Sequence, residues 1–244
     1  MRGFGKSDIG RVRDLNEDSV FVSNTSVGKL PNLYIVADGM GGYKGGEVAS
    51  SSAISYFCEY ARNYQGEDDI LDIIVEGVRY ANNLIIRDAR NDAERLGGMG
   101  TTFTALVVND GKLYIAHVGD SRLYVVDQNY VRQVTTDHSY VMELVKAGKL
   151  TKEEARNHPD RNCITRALGV EDNVLVDGIV NNFENRFVIL CTDGLTNMLR
   201  DEEIEGIIYS EWELEKKAYR LIDEANSRGG YDNISVIVID REVG

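Results

Sequence analysis

Strand-like and helix-like segments do not alternate along this chain, and that order excludes a parallel sheet assembled from βαβ units. Runs rich in β-branched and aromatic residues, punctuated by turn formers, predict strands at 19–22, 33–37, 101–108, 112–118, 122–126, 174–180, 187–191 and 234–239. Asn109, Asp110 and Gly111 between two of them predict a hairpin turn. Apolar periodicity predicts helices at 47–64 and about 69–94, shorter ones at 140–146, 151–157 and 201–208, and a longer one at 212–227. Thr151 and Glu154 have the spacing of a capping box, Pro159 closes that helix, and Gly229 and Gly230 stop the last one. Clustered strands, two consecutive helices, more strands and then more helices make an α+β arrangement.

No repeat or Pro-, Gly- or Ser-rich linker divides the 244 residues, so one domain is expected. No stretch approaches the roughly 18 consecutive apolar residues of a membrane span, and the start MRGFGKSDIG lacks the apolar core of a secretory signal. Those features predict a soluble, cytoplasmic protein. Cys58, Cys163 and Cys191 are odd in number and far apart, which predicts reduced thiols rather than a disulfide framework or a zinc cluster. A net charge of -13 disfavours DNA, RNA or anionic lipid as the main partner, since those are held by Lys and Arg.

Two apolar runs end in the same dipeptide: LYIVADG at Asp38 and Gly39, and FVILCTDG at Asp193 and Gly194. Asp232 stands just before the strand-like ISVIVI, and Asp120 follows the apolar LYIAHVG. Any one Asp-Gly is a turn former. Several acids at the ends of apolar strands are harder to assign to turns, because strand ends on a rigid sheet can hold distant carboxylates face to face. Such a cluster repels itself and raises its own pKa values unless a divalent cation compensates. Oxygen-only ligands suit Mg²⁺ or Mn²⁺. His117, His138 and His158 show no zinc-binding spacing, and His117, inside an apolar strand, reads as a core residue.

In GRVRDLNEDS, Arg11 and Arg13 precede Glu17 and Asp18. An arginine fork matches phosphate oxygens, and either acid could act on a metal through water; taken alone, such a cluster is ordinary solvated surface. FGKS at the N-terminus lacks the first glycine of a phosphate loop, GDSRL lacks the last glycine of a serine nucleophile elbow, and no cysteine is followed six positions later by arginine.

Together these motifs resemble the metal-dependent protein phosphatases of the type 2C class in their compact bacterial form. The matching pieces are GRVRDLNEDS, VADGMGGYKGGEVAS, MGTTFTAL, AHVGDSRLY, the stretch from Thr136 to Gly169, LCTDGLTNML and GGYDNISVIVI, in the family's order across nearly the whole chain. The resemblance implies a single catalytic domain, 1–244, in which two antiparallel sheets pack as a central sandwich with helices on both outer faces. It implies a binuclear centre at one end, holding two Mn²⁺ or Mg²⁺ ions per subunit. By the same resemblance Asp38 bridges both ions, the Gly39 carbonyl binds one, and Asp193 and Asp232 bind the other. Asp18 acts through waters, Arg13 grips the substrate phosphate, and Asp120 with Asp193 holds a third, weaker ion. Residues from about 137 to 165 look like the family's flap.

The implied reaction is direct hydrolysis of phosphoserine and phosphothreonine in proteins, by a water or hydroxide activated at the two metals, without a phosphoenzyme. The implied partners are phosphorylated proteins, including a Ser/Thr protein kinase whose action the enzyme opposes; no nucleic acid or membrane partner and a monomeric state are expected. One departure stands out: many bacterial relatives have His directly after D-G-M-G-G, and this chain has Tyr43. Tyrosine is a poor proton donor to a leaving alcohol at neutral pH, so that proton would come from water at the metals. Two rival readings are a non-catalytic phosphoprotein-binding domain and a hydrolase of small phosphate esters.

Overall fold

In the computed structural model, residues 1–41, 45–127, 130–184 and 186–242 are described; Tyr43 lies outside them. In chain order the elements are β1 (Arg2–Asp8), β2 (Asp18–Ser23), β3 (Leu33–Met40), α1 (Gly45–Asn63), α2 (Ile70–Asn91), α3 (Ala93–Leu96), β4 (Gly100–Thr101), β5 (Phe103–Asn109), β6 (Lys112–Val118), β7 (Arg122–Asp127) and β8 (Tyr130–Gln133). There follow α4 (Tyr140–Lys146), α5 (Lys152–Arg156), β9 (Asp177–Asn182), β10 (Phe187–Cys191), α6 (Asp193–Thr196), α7 (Asp201–Ile208), α8 (Leu214–Ser227) and β11 (Ile234–Asp240). One sheet runs β1-β11-β10-β7-β8, the other β2-β3-β5-β6-β9 with β4 paired to β3, and every pairing is antiparallel. No helix among the described residues is long and apolar enough to cross a membrane.

The two-residue period of a strand decides which layer each side chain enters. Along β3, Tyr34 and Val36 join Leu106, Ile115, Leu123, Val188, Leu190 and Ile237 between the two sheets. Their neighbours Leu33, Ile35 and Ala37 face the other way, against Ala53, Phe57, Ile74 and Val78 of α1 and α2. In the second sheet Val236 and Val238 face outward onto Leu221 and Ala225 of α8. Both faces of each sheet are therefore covered, giving helix, sheet, sheet, helix. Each fully buried Val, Leu or Ile contributes about 1.5–3 kcal/mol of transfer free energy, so continuous apolar runs at β10 and β11 suit strands enclosed on both sides.

Sequence patterning did not signal β1, β8 or the short α6. β1 reads RGFGKSD, with two glycines and a lysine that lower its strand signal. Packing demands those glycines: a Cβ on Gly3 would lie 2.4 Å from Cε1 of Tyr34, and one on Gly5 2.8 Å from Cγ2 of Val22. β9 begins at Asp177 rather than 174, because Val174 is spent in the core beneath α2. β3 also does not stop at Asp38. Gly39 and Met40 continue it by pairing with Thr101 and Gly100 of β4, while the β2 ladder ends at the Asp18–Asp38 pair. Asp193 does not end a strand either; it is the first residue of α6, two positions beyond the end of β10.

Candidate metal centre

The alternation that builds the apolar layer between the sheets continues beyond it and changes chemistry at one end of the sandwich. Inward positions Val22, Val20 lead to Asp18; Tyr34, Val36 to Asp38; Leu106 to Thr104 and Thr102; Leu190 to Thr192; and Ile237 to Ser235 and Asn233. A buried layer of hydroxyls thus separates hydrocarbon from carboxylates. Thr104 donates to Nδ1 of His117 across 2.9 Å, and Nε2 of His117 donates to the Thr136 carbonyl at 3.2 Å. Burial lowers the pKa of that imidazole to about 4, so it stays neutral: a satisfied core histidine, as expected.

Asp18 and Asp38 are direct partners in the β2–β3 ladder, which places both side chains on the inner face. Like charges directly opposite one another destabilise a sheet. The backbone of Asp38 is fully engaged. Its carbonyl accepts from Thr102 N–H at 2.8 Å and from the Thr101 hydroxyl at 2.9 Å, and its N–H donates to Oγ1 of Thr102 at 2.9 Å. Thr102 in turn shares a 2.7 Å hydrogen bond with Ser121. Oδ2 of Asp18 accepts from Thr192 at 2.8 Å, while Oδ1, also buried, has no partner.

Asp193 and Asp232 complete the convergence. Asp193 is among the charges that act on Asp38, and Asp232 is among those that act on Asp193. Asn197 donates to Oδ2 of Asp193 at 3.0 Å. Burial, with Asp232 adding, raises the pKa of Asp193 to about 6; burial, with Asp193 and Asp232 adding, raises that of Asp18 to about 7 against the pull of the Ser235 and Thr192 hydroxyls. Asp38 is pushed well above the carboxylate range by burial and then by Asp18, Asp193, Asp120 and Asp232. Asp120 is raised likewise, by burial and then Asp193. Asp38, Asp120, Asp193 and Asp232 are enclosed by protein yet keep part of their surface open to solvent, and Asp18 is buried.

Arg13 stands at the rim. Its Nη2 donates to Oδ2 of Asp232 at 2.9 Å, and its side chain remains 49% exposed, so a substrate can reach the rest of the fork. Glu17 lies in the Arg13 field and packs against Gly46 in the first turn of α1, although burial raises its pKa overall. Here the glycines after Asp38 find their use. A Cβ on Gly39 would lie 2.1 Å from the Gly46 carbonyl oxygen, and one on Gly46 would lie 2.3 Å from Oε1 of Glu17. Close approach between β3, α1 and Glu17 is what these two provide.

Asn233 is a structural centre that sequence reading passed over as a turn former. Its Oδ1 accepts from Glu17 N–H at 2.8 Å, and its Nδ2 donates to the carbonyls of Ile9 and Leu15, each at 2.9 Å. One side chain thereby ties both ends of the Arg13 loop to the start of β11. The only sequence signal was the acid beside it, in YDN. Thr102 and Thr192 were likewise missed, since threonine next to Asp-Gly or in a strand looks unremarkable.

Among the described residues, no three His, Cys, Asp or Glu side chains already form a group that could hold an ion. The acids instead meet as a mutually repelling cluster, with Arg13 on Asp232 and Asn197 on Asp193. Their chemistry still fits a hard divalent cation: every donor is oxygen, the carboxyls resist ionising together, and Asp18 keeps a buried oxygen without a partner.

Residues 5–222 match the family model described as Protein phosphatase 2C. The chain is 40% identical over 242 residues to the serine/threonine phosphatase stp of Listeria innocua, covering 98% of this chain and 95% of that protein. Its fold superposes on the serine/threonine phosphatase Stp1 of Staphylococcus aureus with a TM-score of 0.91 at 31% identity, over 99% of this chain and 95% of the other. A further match, at TM-score 0.85 and 34% identity over 98% and 97% of the two chains, is the catalytic domain of the phosphatase PstP in complex with two manganese ions. The chain belongs to the protein phosphatase 2C family and is a protein serine/threonine phosphatase.

Proposed function

We propose that this enzyme hydrolyses phosphoserine and phosphothreonine in proteins at a binuclear Mn²⁺ or Mg²⁺ centre, opposing a Ser/Thr protein kinase in the cytoplasm. The whole chain acts as one catalytic domain, with residues 137–165 as its flap. The observation that carries the reading is the convergence of Asp18 on β2, Asp38 on β3, Asp193 on α6 and Asp232 just before β11 into one mutually repelling acid cluster beside Arg13. The manganese-bound relative supports the choice of cation.

Asp38 would bridge the two ions, with the Gly39 carbonyl on one and Asp193 and Asp232 on the other. Asp18 would act through water, and Asp120 with Asp193 would hold a third, weaker ion. Bound there, the cations supply an acidified water and positive charge for the phosphoryl oxygens. The chain's own part is orientation. Arg13 presents a planar fork to the phosphate dianion, and Asn233 fixes the loop that carries it. The Thr101–Thr102 hydrogen bonds fix the Asp38 backbone, so its carboxylate is placed before substrate arrives.

The reading is tested by assaying phosphoserine and phosphothreonine peptides with Mn²⁺, Mg²⁺ or EDTA. Turnover with either cation and none in chelator is expected; equal turnover in EDTA would refute it.

A further inference from the structure

Asp120 enters the acid cluster from a turn that the chain does not favour by itself. Gly119 before it lies at φ +107°, in the left-handed region, and a Cβ there would fall 2.6 Å from Cβ and Cγ2 of Thr102, the residue that holds the Asp38 backbone. Two consecutive residues from another part of the chain grip that turn on either side. Beyond Asp120, Nε and Nη2 of Arg122 donate to the Asp137 carboxylate at 2.7–3.0 Å. Before it, His138 takes both polar groups of Gly119: its backbone N–H donates to the Gly119 carbonyl at 2.8 Å, and its Nδ1 accepts from the Gly119 N–H at 3.0 Å.

His138 is itself held on every side. It is buried with its ring centroid 4.8 Å from that of His117, and burial lowers its pKa, so the imidazole is neutral and carries one proton. Because Nδ1 accepts, that proton sits on Nε2, which donates to Oδ2 of Asp177 at 3.1 Å. Arg166 donates to the other oxygen of the same carboxylate at 3.0 Å, and the β6–β9 ladder pairs Asp177 with His117. The His138 carbonyl accepts from Thr165 N–H at 2.8 Å. Every polar atom of His138 therefore has a partner, and its ring cannot turn without breaking one of these bonds.

We propose that His138 is a positioning residue of the active site: by holding both polar groups of Gly119 with a ring fixed by Asp177, it keeps Asp120 turned into the acid cluster. It acts through Asp120 and not on the substrate. Its effect on turnover rests on the phosphatase reading above; its hold on Gly119 does not.

The test compares His138→Asn, whose Oδ1 replaces Nδ1 as an acceptor, with His138→Gln, whose amide reaches toward Asp177 and leaves no acceptor at the Nδ1 position. Two readouts are taken on the full-length protein: amide hydrogen exchange at Gly119 in EDTA, and kcat on p-nitrophenyl phosphate with Mn²⁺. His138→Gln should speed Gly119 exchange by about fivefold or more, the effect of one lost hydrogen bond. It should also lower kcat by at least about tenfold, the effect of a misplaced group near the reacting atoms. His138→Asn should keep Gly119 protected and recover most of kcat. Asp177→Ala, at a half-exposed strand end, tests the same chain of contacts should a His138 variant fail to fold, and should move both readouts in the direction of His138→Gln. Equal losses of kcat in the Asn and Gln variants would make His138 a packing residue and overturn the proposal, as would parent-like Gly119 exchange in both His138→Gln and Asp177→Ala. An unaltered enzyme that turned over neither p-nitrophenyl phosphate nor phosphopeptide would remove the phosphatase reading, while Gly119 exchange would still decide whether His138 holds the Asp120 turn.

Discussion

Asp18 and Asp38 face each other across the last pair of the β2–β3 ladder, and one oxygen of Asp18 is buried without a partner. Two opposed acids at the end of an otherwise apolar layer cost stability unless a proton or a cation sits between them.

Metal-free protein should therefore lose stability as pH rises. Asp18 and Asp193 have folded-state pKa values raised from 3.8 to about 7 and about 6, so between those limits the native state binds more protons than the unfolded chain. Stability is then fully present below the unfolded value and falls as pH rises through 6 to 7. Thermal melts in EDTA should show Tm dropping between about pH 5 and pH 8. Added Mn²⁺ should raise Tm most at the higher pH, where the carboxylates are ionised. A flat or rising Tm in EDTA would contradict the mutual repulsion of these acids.

Asp38→Asn removes one charge from that cluster and keeps its shape. The metal-free variant should be at least as stable as the parent at neutral pH, yet slower on phosphopeptide by at least about a hundredfold, since a group acting on both ions is lost. Near-normal turnover would rule out a bridging role.

Asn233→Ala should do two things together. Three hydrogen bonds end in buried or half-buried partners, so denaturant unfolding should show a loss of about 2–3 kcal/mol. Because the Arg13 loop is released, KM for phosphopeptide should rise as it does in Arg13→Ala, by about tenfold for loss of a charge-assisted contact. A stability loss with unchanged KM would make Asn233 a structural residue only.

Tyr43→His tests the proton source. If water protonates the leaving alcohol, installing a histidine should change kcat by well under the roughly hundredfold that a positioned general acid supplies. A gain of that size would show that the parent enzyme lacks a donor.

Much of the layered fold was legible because period-two apolar runs such as FVILC and ISVIVID, and the long helical patterns, have no competing solution. β1 was not, since Gly3 and Gly5 carry a tertiary requirement, clearance for Tyr34 and Val22, that reads locally as weak strand propensity. The acids were visible through their strand-end positions. Their support was hidden, because Asn233, Thr102 and Thr192 act through partners 19 to 224 residues away that no local pattern encodes. The run of the β3 strand past Asp38 was hidden for the same reason, as β4 supplies its partner from beyond three helices.

The most direct test of the centre is anomalous diffraction at the manganese edge from crystals of the protein grown with Mn²⁺. Two strong peaks bounded by Asp38, Asp193 and Asp232, beside the Arg13 guanidinium, are the expected result. A difference map with manganese elsewhere on the surface and none among those three carboxylates would contradict the account.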